Sequence, residues 1–276
     1  PLAVIIALSD LVDYLAWQYP RWQGEIVMGG GLGVFAVAVF LFPLAVRFIW
    51  PTRPMPAGEV RSMLEDLCRK TGVGVREILL WRTPGRAVTN AAVLGFVAPM
   101  RFILVTDGLI QAMTVGEQQA VFAHELGHVR KHHIPYLAML VVIFLGLIEL
   151  LSGVVPMPEW AIGPSGVTGG EGLWGLVAAA VAAGVYGGLV FGFVSRRFER
   201  QADLYCIEMG FDVEQLIAAF EKIAALSGMP STIRSWRHFS LARRIDFLKR
   251  VQADHAVAET FTRHVKLLKA ALAVGA

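Results

Sequence analysis

Three long stretches with almost no charge limit what this chain can become. Ile26–Val46 runs 21 residues without a charged side chain, Ile134–Val155 runs 22 with only Glu149, and Leu173–Val194 runs 22 with none. About 20 apolar residues in a helix cross the hydrocarbon core of a bilayer, where every backbone polar group has to be satisfied within the segment. Three transmembrane helices are therefore expected. Leu2–Leu8 is apolar too, but Ser9, Asp10 and Asp13 follow too soon for a complete span, which leaves the tail of an earlier helix or an interfacial segment. The chain opens at Pro1 rather than Met, so a preceding piece is expected. With 55% hydrophobic and only 17% charged residues, the 276-residue chain has a membrane protein's balance, against roughly 25% charged for a soluble domain.

Arg47, Arg53, Arg130, Lys131, Arg196 and Arg197 flank the runs on one side, whereas the 156–171 loop has no Lys or Arg. The positive-inside rule places the polar parts in the cytoplasm, and the membrane is expected to be an inner membrane of bacterial type. The glycines of the first run and Gly184, Gly188 and Gly192 of the third suit close helix packing. Glu149 lies near the far end of its run, where an interfacial position explains it. A net charge of +3 without a basic, aromatic-laced stripe gives no reason to expect nucleic acid. Cys68 and Cys206, the only cysteines, have no C-x-x-C spacing and are expected as buried thiols.

From Ala57 the composition turns soluble. Val60, Met63, Leu64 and Leu67 recur at helical spacing over Glu59–Lys70, and Thr71-Gly72 stops the pattern. Ile78–Trp81, Ala91–Val97 and Phe102–Thr106 read as short strands of a small sheet whose last strand is either an edge able to pair with an extended peptide or fully paired internally. Thr114-Val115-Gly116-Glu117 is a capping box, which starts a helix near Val115 that runs to His133. After the third run, a helix over 196–206 closes at Gly210, Asp212 caps the next, Ser240 caps another, and a last amphipathic helix covers 258–272.

The capped helix carries His124-Glu125-Leu126-Gly127-His128. Histidines four apart share a helix face and can reach one ion, with Glu125 beside them over a water molecule. A catalytic zinc takes three protein ligands and leaves one position open, so a third His, Glu or Asp has to come from elsewhere. Glu199 is the best candidate, because a transmembrane hairpin over 134–194 returns the chain to the face on which His128 left it. Asp203, one turn later, can accept the outer N–H of a ligating histidine. His132 and His133 read as polar residues ending the metal helix at the membrane surface, and His255 and His264 as solvent-exposed.

H-E-L-G-H, a hydrophobic segment and then F-E-R-Q-A-D resemble the gluzincin membrane peptidases that include the HtpX heat-shock protease and the CAAX prenyl endopeptidases. The similarity begins near Asn90-Ala91, passes through Phe102–Thr106 and both motifs, and reaches His238–Ile245, similar to the family's H-P-x-x-x-x-R-I segment with Phe239 in place of the proline. The resemblance implies zinc, one per chain, on His124, His128 and Glu199, with Glu125 as general base and Asp203 supporting the site. It also brings His238 and Arg244 near as candidates for the oxyanion or substrate. The expected architecture is mainly helical with a small β-sheet, a zincin-like domain split by the membrane hairpin. Residues 1–56 form an N-terminal membrane region, 57–133 and 196–276 the two parts of the peptidase domain, and 134–195 the hairpin.

The function implied is a zinc endopeptidase acting on protein or peptide substrates, chiefly membrane proteins, as in HtpX-like quality control. A prenyl-protein endopeptidase is the alternative within the same chemistry, and an inactive membrane scaffold the alternative outside it. A cation transporter fits poorly, because the histidines lie outside the apolar runs.

Overall fold

The structure, a computed structural model, describes residues 2–83, 89–154, 177, 180–227 and 240–274. It is mostly helical, with one small sheet, and divides into two compact units: Pro1–Arg130 with Tyr205–Met229, and Lys131–Leu204 with Pro230–Ala276. The 156–171 loop, His238 and the side chain of Glu149 lie outside the described residues.

The first unit opens with helix α1 (Leu2–Gln18), longer than the apolar start alone indicates, and α2 (Gln23–Ile49). Gly30 of α2 lets the two approach: a Cβ there would meet both methyls of Val12, at 2.5 and 2.7 Å. The helical stretch Pro20–Ile49 is long and apolar enough to cross a membrane, and Val115–Arg130 with His133–Ile148 passes the same test as a bent pair. Next come strand β1 (Thr52–Pro54), which no sequence signal announces, and α3 (Glu59–Thr71), closed by Gly72 in the left-handed conformation. β2 (Glu77–Trp81), β3 (Ala91–Leu94) and β4 (Phe102–Thr106) complete a sheet of order β1-β2-β4-β3. β2 pairs parallel with β4, and the outer two strands are antiparallel to their neighbours. The edges are thus β1 and β3, and the last strand is internal, because the chain turns back after β3 and inserts β4 beside β2.

Both faces of β4 are covered, which explains its unbroken apolar sequence. Ile103 and Val105 join Ile78, Leu80 and Val93 in a core with Leu64 and Leu67 of α3. Phe102 and Leu104 turn the other way and pack with Leu79 against Val46 in the last turns of α2. The apolar helix is thereby built into the sheet. Arg47 lays its guanidinium over the Phe102 ring at 5.8 Å.

After the short α4 (Asp107–Ala112) comes α5 (Val115–Arg130). Its capping box is formed: Glu117 Oε2 accepts from Thr114 N at 2.7 Å, and Glu117 N donates to Thr114 Oγ1 at 3.3 Å. The helix stops at Arg130 rather than His133, because His132 takes a left-handed turn with φ 58°. α5 contributes Val121, Phe122 and Leu126 to the main core, and α8 (Val213–Ser227) packs on it through Ala219.

In the second unit α6 (His133–Val154) is followed by helical residues 180–186, a π-turn at Gly187–Phe191 and α7 (Gly192–Glu208), whose end passes into the first unit. Tyr186 donates to Leu140 O at 2.9 Å and stacks on Phe144. α9 (Leu241–Ala253) and α10 (His255–Val274) complete the unit. Ser240 sits at the α9 N-cap, but its hydroxyl makes no capping bond, whereas Asp212 Oδ1 does accept from Glu214 N before α8.

Candidate metal centre

The site begins with α5. Its H-E-x-x-H turn is largely enclosed: His124 is 5% exposed, and Glu125 and His128 are half-buried. The two Nε2 atoms stand 3.2 Å apart with the rings at 83°, and the edge of His124 also meets Phe220. Two imidazole lone pairs converging this closely need either a proton or a cation between them. Leu126 and Phe122, one on either side of His124 along the chain, anchor the opposite face of the helix in the core and fix its rotation.

α7 supplies Glu199 and Asp203, one turn apart and both buried. Arg244 of α9, also buried, holds both. Its Nε and Nη2 donate to the two Asp203 oxygens at 3.0 and 2.5 Å, and its Nη1 lies 3.1 Å from Glu199 Oε2. This fork fixes the rotamers of both carboxylates, since a planar guanidinium fits only one arrangement of them.

His124, His128 and Glu199 each offer a ligand atom, and these atoms all lie within 4.8 Å of one another, a grouping that can hold a metal ion. The donor set fits: two imidazole nitrogens and a carboxylate oxygen suit a borderline divalent ion and leave a coordination position open.

His133 is not at the surface, as the end of a metal helix suggests. It is fully buried, stacked on Phe198 at 4.3 Å and bonded to Gln201 Oε1 at 2.9 Å. The break at His132 redirects the chain and turns His133 inward. His255 and His264 are exposed and Cys68 and Cys206 buried, all as expected. No short sequence pattern marks the group around Gln201 and Lys269, because its partners lie 68 and 138 residues apart.

Comparison with known proteins gives four findings. Peptidase family M48 matches residues 54–264. "Protease HtpX homolog" of Bacteroides fragilis is 26% identical over 208 residues, which cover 72% of this chain and 63% of that protein. "CAAX prenyl protease 1" of Saccharomyces cerevisiae is 29% identical over 104 residues, 37% of this chain and 22% of its own length. Among solved structures, S. mikatae Ste24p is similar in fold, with a TM-score of 0.69 at 20% identity, covering 89% of this chain and 63% of that one. The chain therefore spans under two thirds of the length of these three relatives.

Proposed function

The chain belongs to peptidase family M48, and from that premise we propose that it is a membrane-bound, zinc-dependent endopeptidase of HtpX type. The observation that carries the reading is the convergence of His124, His128 and Glu199. These three would hold the ion. When bound, zinc supplies Lewis-acid polarisation of a scissile carbonyl and acidification of water.

The chain's own residues do the rest. Glu125, partly exposed beside the histidines, takes a proton from the attacking water on its carboxylate and returns it to the leaving amine nitrogen. Asp203 and Arg244 hold Glu199 in place. Arg244 acts as a positioning residue in this scheme, because its three donor nitrogens are directed at the two carboxylates. The substrates are protein or peptide chains, chiefly membrane proteins met at the cytoplasmic face of an inner membrane. Residues 26–46, 134–155 and 173–194 span the bilayer, with the peptidase domain divided by the hairpin 134–195. Exposed large apolar residues along α2 and α6, such as Phe42, Val142 and Leu145, would then face lipid.

A prenyl-protein endopeptidase is the second reading, supported by the 104-residue match to "CAAX prenyl protease 1". The two separate in one assay on the full chain in detergent, with a misfolded membrane protein and a prenylated C-terminal peptide as substrates. The first reading expects cleavage of the protein that zinc chelation abolishes, and Glu125→Gln to keep the metal while losing turnover by about a hundredfold or more. Cleavage of the prenylated peptide alone supports the second reading. Near-normal turnover by Glu125→Gln overturns both.

A further inference from the structure

Gln201, two residues from Glu199 on α7, is tied to a lysine that lies outside the family match, which ends at residue 264. Lys269, on the last helix, donates to Gln201 Oε1 at 2.8 Å and to the backbone oxygen of Lys131 at 2.6 Å. The same Gln201 oxygen meets His133 Nε2 at 2.9 Å. The ammonium also lies over two rings, Tyr136 at 5.3 Å and Phe198 at 5.1 Å. Gln201 is 7% exposed and His133 completely buried, so these are interior contacts.

Their positions in the chain give them meaning. Lys131 is the first residue after α5 and stands three residues beyond His128; Gln201 stands two residues beyond Glu199. At His132 the chain takes its left-handed turn, so the Lys131 carbonyl sits where a helix end calls for a side-chain donor. Behind the lysine, Val265 is fully buried with Leu140, Val194 and Phe198, and Leu268 and Leu272 pack against them, which keeps α10 seated.

We propose that Lys269 is a positioning residue for the metal centre: through one amine it ties the Lys131 carbonyl, three residues past His128, to Gln201, two residues past Glu199. The proposal rests on the endopeptidase reading above. Burial, and after it the neighbouring Lys131 charge, bring the Lys269 pKa down to about 8. Charged or neutral, the amine has enough N–H groups for its two acceptors, so the clamp holds across that range.

The test uses the full chain in detergent, stripped of metal and titrated with zinc against a chromophoric chelator, alongside kcat and KM on a labelled unfolded protein. Lys269→Met, similar in length but without donors, is expected to weaken zinc affinity about tenfold and lower kcat with KM within twofold. Lys269→Arg is expected to restore both to within about threefold. If Lys269→Met does not fold, Gln201→Met has to show the same loss. Combined with Lys269→Met, Gln201→Met should add little, because the two share one contact. A Lys269→Met protein with wild-type zinc affinity and kcat, whatever its melting temperature, overturns the proposal while leaving the endopeptidase reading intact. A wild-type chain that binds no zinc and cleaves nothing overturns the reading on which it rests.

Discussion

Arg244 shows what one side chain settles in this fold. It contributes no ligand atom to the His124, His128 and Glu199 group, yet it bonds the carboxylates of Glu199 and Asp203 in the interior. Replacing it with Ala leaves two buried carboxylates without that cation, a change that costs about 3–5 kcal/mol when a buried pair is broken. Arg244→Lys keeps the charge but cannot fork, so it should recover stability better than metal affinity; chemical denaturation and zinc titration on the same samples compare the two. Cys68 makes a contrasting case. Burial, aided by Glu65, pushes its thiol up to about 11, so alkylation by iodoacetamide at pH 8 should be slow in the folded protein and fast in denaturant. The sequence placed His124 and His128 on one helix face, because spacing on a helix is a local property, and named Glu199 as their partner from the return of the chain after the apolar hairpin; the three do group together. It marked Arg244 only through a resemblance that suggested the oxyanion, since which acids a guanidinium reaches depends on how α7 and α9 pack.

At the level of elements, the local signals that proved reliable were those written within four residues. The Thr114/Glu117 box starts α5 where its pattern places it, and Thr114→Ala should cost about 1 kcal/mol, measurable by denaturation. Glu117 also has a pH signature. Burial works against its charge, but the bond from Lys222 at 2.7 Å and those with Thr114 outweigh it and hold its pKa below the usual range. Its folded-state value is thus lower than its unfolded one, near 4.3. The stability it contributes is full above that unfolded value and is lost as pH falls through the lower folded one. Unfolding curves of wild type and Glu117→Gln between pH 7 and 3 should therefore converge at the acid end; a constant gap would contradict the ion pair's role. Two elements were not legible. β1 has only three residues and exists because β2 offers it an edge. The β3–β4 turn depends on Gly95, whose φ is 111° and where a Cβ would collide with the backbone of Met100, while Arg101 bonds the Gly95 and Phe96 carbonyls and that of Gly74. Nothing in the neighbouring residues announces those long-range bonds.

For the whole molecule, the first apolar run and the H-E-x-x-H helix belong to one compact unit, where the last turns of α2 form part of the sheet's own core. Phe102→Ala should accordingly cost about 3–5 kcal/mol, since its ring is 1% exposed and lies under both Val46 and Arg47. Composition and run length pointed to helices and a membrane, but not to this junction, because a run of apolar residues does not say what its ends pack against. The sheet order escaped for the same reason: β4 is internal by virtue of a parallel pairing with β2 that skips over β3 in the chain. The central claim is that two histidines on one helix and a glutamate on another make one zinc site. Zinc affinity of the purified chain, wild type against Glu199→Gln, tests it most directly. One zinc per wild-type chain, with affinity reduced at least tenfold in the variant, is the result expected; a Glu199→Gln protein that binds zinc as tightly as wild type would contradict it.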